Sequence, residues 1–184
     1  MTDGTVDVTV RPARPDEAPA IRTVCATAWR RAYDGLLPDA YVEANLETFY
    51  TTDWLRAEIR APTDAGRWLV AASADDSAAP AVCGAGRGSS PTNGTCEVST
   101  LYVHPEAQGL GVGSALLEAI TARQRADCAG HPPEIDQCVE VFDGHAQAIG
   151  FYEHHGFERV STRRTDVVDG VDPDHRTVRL TRGC

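Results

Sequence analysis

Residues 95–117 read T-C-E-V-S-T-L-Y-V-H-P-E-A-Q-G-L-G-V-G-S-A-L-L, and this stretch decides the fold. Thr95 to Val103 alternates in period two. That predicts a long strand with Glu97, Ser99, Leu101 and Val103 on one face and Cys96, Val98, Thr100 and Tyr102 on the other. After His104 and Pro105, Gln108-Gly109-Leu110-Gly111-Val112-Gly113 opens a helix. Its apolar positions Val112, Ala115, Leu116, Ala119 and Ile120 form one stripe, with Arg123 and Arg125 toward the C-terminal end. A strand, a glycine turn and a helix bring successive backbone N–H groups and a helix N-terminus onto one anion, with glycine permitting close approach of a pyrophosphate. The same glycines also serve a tight strand-to-helix connection, so the turn alone leaves both readings open. The dinucleotide form is excluded. It needs G-x-G-x-x-G after the first strand of a βαβ unit, whereas this turn has another spacing and follows the fourth strand.

Working upstream, Val6, Val8 and Val10 alternate with polar residues up to Arg11-Pro12, a first or edge strand. From Pro15 to about Tyr33, Ala18, Ile21, Val24, Cys25, Ala28, Trp29 and Ala32 recur at helical steps, and Gly35 ends the run. Shorter helical patterns carry Tyr41, Val42, Asn45 and Leu46, and then Asp53 to Ile59. Arg67–Ala72 and Ala81–Gly88 read as antiparallel strands around the polar segment 73–80. Together with Thr95–Val103, after the S-S-P-T-N-G turn, they form a meander. Downstream, the segment from Asp127 to Asp136, with Gly130, Pro132 and Pro133, reads as loop. Cys138–Phe142 is a strand, and His145–His155 a helix stopped by Gly156. Phe157–Arg163 and Arg176–Leu180 close the chain as a strand pair around an acidic loop. This order describes a mixed α/β or α+β sheet with helices on its faces.

The 184 residues, 42% hydrophobic and 24% charged, suit one domain spanning 1–184. No apolar run is long enough to cross a bilayer, and Met1 to Gly4 lacks the start of a signal peptide, so a cytoplasmic location is expected. All 17 basic residues are arginine. Without lysine, phosphate-loop, protein-kinase and Schiff-base chemistries are excluded. The net charge of −10 argues against nucleic acid and favours cationic partners, although adaptation to salt or a GC-rich genome accounts for it as well. Six cysteines, among them Cys138 and a terminal Cys184, show no metal-ligand spacing. Nor do His154, His155 and His175, read as surface residues with His155 a helix C-terminal cation. No metal is expected.

Two segments together resemble the GNAT superfamily of acetyl-coenzyme A dependent N-acetyltransferases. Leu101 to Leu117 is similar to the family's central strand, its Q/R-x-x-G-x-G/A pyrophosphate loop and the following helix. V-E-V-F-D-G-H-A-Q-A-I-G-F-Y-E-H-H-G-F (Val139 to Phe157) is similar to the next strand and a helix ending in F-Y-x-x-x-G-F. The likeness runs from about Arg67 to Phe157, and A-W-R-R-A-Y-D-G-L-L-P-D-A-Y (Ala28 to Tyr41) resembles the family's acceptor-side helices. It implies a mixed, mostly antiparallel sheet of about seven strands, with two parallel strands splayed around the pantetheine arm. It further implies that Leu101, Tyr102 and Val103 offer main-chain groups to that arm, and that Gln108, Gly109, Leu110, Gly111, Val112, Gly113 and Ser114 hold the pyrophosphate. His145, where the family usually has Asn, Ala148 and Tyr152 would lie along the arm.

The implied reaction moves acetyl from acetyl-coenzyme A to a primary amine, small or peptidyl, in a ternary complex. The alternative is a non-catalytic acyl-coenzyme A sensing domain. Transfer needs a neutral amine, an oxyanion donor and a proton for the leaving thiolate. By resemblance Tyr152 supplies that proton, packing of the ring being its other reading, and the Val103 N–H is the oxyanion donor chosen. Glu97 and Glu140 compete as base. Glu97 is preferred because its parity matches Leu101 and Val103, whereas Glu140 alternates with Val139 and Val141. Trp29 and Tyr33 fall on the helices that wall the acceptor site in the family, which makes both candidate substrate contacts by resemblance; a helical aromatic stripe is more often core, the reading preferred for Trp29, while Tyr33 is kept as a lining residue. A homodimer through the C-terminal strands is common in similar proteins.

Overall fold

The computed structural model describes residues 8–63, 66–73, 81–128 and 136–183. Val6, most of the polar segment 73–80, Gly130, Pro132 and Pro133 of the expected loop, and Cys184 lie outside the described residues. In chain order the elements are β1 (Val8–Pro12), α1 (Ala18–Ala32), α2 (Asp39–Phe49), α3 (Thr52–Arg60), β2 (Leu69–Ser73), β3 (Val82–Gly88), β4 (Thr95–Val103), α4 (Val112–Asp127), β5 (Asp136–Phe142), α5 (Ala146–His154), β6 (Glu158–Arg164) and β7 (Arg176–Gly183). The strands form one sheet in the order β1-β2-β3-β4-β5-β7-β6, antiparallel throughout except between β4 and β5. The expected architecture is therefore present, and β4 has the predicted limits.

Each face of the sheet carries a core. On one side α1, α2 and α3 bury Ile21, Trp29, Leu46, Leu55 and Trp68; on the other α4 and α5 bury Leu116, Ile120, Val139, Ile149 and Leu180. Alternation of glycine in β3 makes the seat for α4. A Cβ on Gly84 would stand 2.8 Å from Leu116 Cδ1 and 2.9 Å from Val112 Cγ1, and one on Gly88 2.7 Å from Ile120 Cγ2. Gly84, Gly86 and Gly88 thus form a trench that lets the helix approach the strand backbone closely.

Two irregularities in β4 shape the sheet around its centre. Its parallel pairing to β5 covers only Thr95↔Asp136, Cys96↔Gln137 and Glu97↔Cys138. Its pairing to β3 slips as well: Thr100 lies opposite Arg87, but Val98 lies opposite Gly88, leaving Ser99 as an extra residue. This bulge reverses the alternation along the strand. Val98 therefore joins Leu101 and Val103 in the core beneath α4 and α5, while Tyr102 packs on the α1 side. Glu97 shares a face with Cys138 and Glu140, opposite Leu101 and Val103, so the strict two-residue alternation expected across Ser99 is corrected.

Candidate active site

Where β4 and β5 part, a cleft of about 580 Å³ opens between Val98–Val103 and Val139–Val141. This is within the usual size of small-molecule sites. Its far end is the turn before α4, with Gln108, Gly109, Gly111, Gly113 and Ser114 on the wall. Gly109 and Gly111 have φ of 76° and 82°, and a Cβ at either would meet nothing within 4 Å. Glycine is required here by conformation, and the open space beside the turn leaves its backbone approachable. Gly111 is the N-cap of α4, and the first helical hydrogen bond returns from Ala115 N to Gly111 O. The N–H groups of Val112, Gly113 and Ser114 precede that bond, at the positive end of a 16-residue helix. Gln108 is fixed by donating its side-chain amide to Val103 O at 3.3 Å.

Not every expected residue faces the cleft through its side chain. The Val112 side chain is buried against Gly84, and Leu110 is half-buried outside the cleft wall. Trp29 lies in the core against Tyr33, Tyr50, Tyr102 and Phe142 and is not part of the wall. Its expected place as core agrees with this position, and its alternative assignment as a substrate contact is corrected. Tyr33 does line the cleft, with its ring 5.3 Å from that of His145. His145 caps α5 without a side-chain hydrogen bond to the helix, and burial pushes its pKa down, so the imidazole faces the cleft in neutral form. Ala148 also lies along the wall.

Tyr152 is 6% exposed, and its ring is held at edge-on angles between Phe151 and Phe157. It lines the cleft, and its hydroxyl makes no hydrogen bond to another described residue. Burial raises its pKa, so the phenol keeps its proton at neutral pH and stands as a donor.

The two carboxylates on the α1 face differ in environment. Glu140 is gripped by Arg163, whose Nε lies 3.1 and 3.2 Å from its two oxygens, and Arg179 stands 3.7 Å away. Glu97 has no ion pair with a described residue. Burial first, and the charge of Glu140 second, raise its pKa above the usual carboxylate value. The arginine grip on Glu140 escaped the sequence reading because β5, β6 and β7 meet only through the fold. His155, expected as a surface cation, is instead half-buried and bonded through both ring nitrogens, to Phe151 O and Ser114 Oγ. Among the described residues, no group of three or more His, Cys, Asp or Glu is placed to hold a metal, and no helix is long and apolar enough to cross a membrane.

Residues 64–159 match the family model for the acetyltransferase (GNAT) domain, more than half of the chain. No curated protein matches the sequence. Among solved structures, the PaiA N-acetyltransferase from Thermoplasma acidophilum in complex with coenzyme A is 16% identical over 94% of this chain and 98% of its own, with a TM-score of 0.70. A GCN5-related N-acetyltransferase from Rhodopseudomonas palustris is 17% identical over 98% of each chain, with a TM-score of 0.73. A nourseothricin acetyltransferase is 28% identical over 67% of this chain and 68% of its own, with a TM-score of 0.54. With the splayed strands, the glycine turn and the F-Y-x-x-x-G-F helix in place, the chain belongs to the GNAT acetyltransferase family and is an acyltransferase.

Proposed function

We propose that the chain transfers acetyl from acetyl-coenzyme A to a primary amine, small or peptidyl, by direct transfer between two substrates bound together. The observation that carries the reading is the parting of β4 from β5 after Glu97 and Cys138, directly in line with the α4 turn. Residues of the right kind line that space. The backbone at 109–114 offers N–H groups and a helix N-terminus to a pyrophosphate. The main-chain groups of Leu101 and Val103 on the inner edge of β4 suit an amide-bearing arm laid down as a substitute strand, with Val103 O touched, among the described residues, only by the Gln108 side chain. Those of Tyr102 are turned instead to Ala85 of β3. Tyr152 and Ala148 close the other wall.

When bound, acetyl-coenzyme A supplies an activated acetyl group as a thioester. The protein's part is to take a proton from the incoming amine and to give one to the departing sulfur. Glu97 suits the role of proton acceptor, because its raised pKa brings it toward the operating range of a general base. Glu140 is paired to Arg163 and Arg179 and suits a supporting role beside Glu97. Tyr152 suits the role of proton donor, because burial keeps its proton in place until a stronger base appears. The Val103 N–H is a candidate for stabilising negative charge on the acyl oxygen. Tyr33, Thr100 and Glu140 line the cleft, where the Glu140 carboxylate favours a cationic amine, while Glu97 stands at the fork just outside the cleft wall. A panel of amines assayed for free-thiol release from acetyl-coenzyme A tests the reading. Turnover with at least one primary amine supports it, and tight cofactor binding with no turnover across the panel contradicts it.

A further inference from the structure

We propose that His155 positions the hydroxyl of Ser114 at the phosphate turn, so that binding of an anion there is tied to uptake of a proton by His155. The proposal rests on the reading of residues 108–114 as the phosphate site, and its starting point is the pair of contacts made by one imidazole. Nδ1 of His155 lies 2.8 Å from Phe151 O. A carbonyl only accepts, so Nδ1 carries a hydrogen in every state of the ring. Nε2 lies 3.1 Å from Ser114 Oγ, and Ser114 lines the cleft in the first turn of α4.

The state of Nε2 therefore decides what Ser114 can offer. With a neutral ring, Nε2 holds a lone pair, the serine donates its one proton to it, and the oxygen turned toward the cleft presents only lone pairs. A phosphate oxygen meets repulsion there. With a protonated ring, Nε2–H donates to Oγ, and the serine proton is released to point at the anion beside the free N–H groups of the helix start. The imidazolium also adds positive charge one side chain behind the ligand. The balance is simple: one proton passes from solvent to Nε2 on binding, the serine proton changes partner, and nothing is transferred to the ligand.

The surroundings make the ligand the natural source of compensating charge. Arg182 of β7 donates to His155 O at 2.7 Å and opposes a second cation nearby. On α5, the His154 ring lies 5.4 Å away, and Glu153 is paired to Arg159 of β6. On α4 the contact is Ser114 itself, with Glu118 exposed one turn further on. The remaining neighbour is the Phe151 ring at 4.4 Å. Among the described residues no carboxylate is bonded to the imidazole, so an anion at the turn is what favours its charged form. By linkage, protonation must then favour the anion.

Dephospho-coenzyme A tests this, since it keeps the pyrophosphate and lacks the terminal phosphate that titrates near neutrality. Its dissociation constant is measured by calorimetry on the full chain from about pH 5.5 to about pH 8.5, across the range where an imidazole changes charge. The expected result is an affinity about tenfold weaker at the upper end, with net proton uptake near neutrality. In His155→Leu the proton uptake should vanish and the dependence flatten, which separates His155 from His104 and His145. On the unaltered protein, nitrogen NMR of the imidazole should show a larger fraction protonated at Nε2 when the ligand is added at constant pH. Retention of the wild-type dependence in His155→Leu, or no gain in Nε2 protonation on saturation, overturns the proposal while leaving the phosphate site standing. Failure of dephospho-coenzyme A to bind at any pH overturns the phosphate-site reading and this proposal with it.

Discussion

Glu97 and Cys138 are the last residues at which β4 and β5 are joined. Beyond them each strand continues against its outer neighbour, β4 against β3 as far as Val103 and β5 against β7 as far as Phe142. Among the described residues neither inner edge is paired to a strand past that point, and on β4 the Gln108 side chain alone reaches across to Val103 O. An unpaired edge is a template for extended backbone or for a group that imitates it. The same pair also places the carboxylate of Glu97 at the fork, on the face shared with Glu140.

Saturation with coenzyme A should stabilise the native chain, because the cleft exists only in the folded state. At a hundred times the dissociation constant the gain is about 2.7 kcal/mol, or roughly 5–10 °C in Tm for a chain of this length. Differential scanning fluorimetry reads it directly.

Tyr152→Phe keeps the ring between Phe151 and Phe157 and removes only the hydroxyl. The expected outcome is a fall in kcat of about a hundredfold with cofactor affinity changed less than about threefold. An unchanged kcat in thiol-release kinetics would leave Tyr152 a packing residue.

Glu97→Gln should slow turnover by about a hundredfold and remove the acid limb of the wild-type pH profile. That limb should lie above the ordinary glutamate value, because burial and Glu140 raise Glu97. Stability should respond in the opposite sense. A carboxyl raised in the folded state contributes stability that is present below its unfolded pKa and lost as pH rises through the folded one. At neutral pH the Gln variant should therefore melt higher than wild type, and the difference should disappear in acid below both values. Glu140→Gln should cost less activity, since it loosens Arg163 and Arg179 rather than removing the base.

Two glycine substitutions should separate structural from ligand requirements. Gly84→Val drives methyl groups into Leu116 and Val112, an overpacking cost of about 1–3 kcal/mol in denaturant unfolding. Gly111→Val meets no protein atom but cannot hold the left-handed conformation comfortably, so binding of coenzyme A should be lost in calorimetry.

Much of this arrangement is legible in the sequence, and the exceptions have physical causes. The alternation from Thr95 to Val103, the stripe from Val112 to Ile120 and the stop at Gly156 are local signals, and the elements they predict are present. The face of Glu97 is misread because a bulge at Ser99 has no composition of its own: a serine in a strand looks the same paired or unpaired. His155 is misread for a different reason. Its partner Ser114 lies 41 residues away, and only the packing of α5 beside α4 turns a helix-end histidine inward. The grip of Arg163 on Glu140 likewise depends on β6 and β7 crossing back beside β5.

Hydrogen exchange of the β4 and α4-turn amides, with and without coenzyme A, tests the central claim most directly. The account predicts slowed exchange at Leu101 and Val103 and at Gly109 to Ser114, with little change along β1 or β6. Saturating ligand that leaves these amides unaffected, or protects another part of the chain instead, would contradict it.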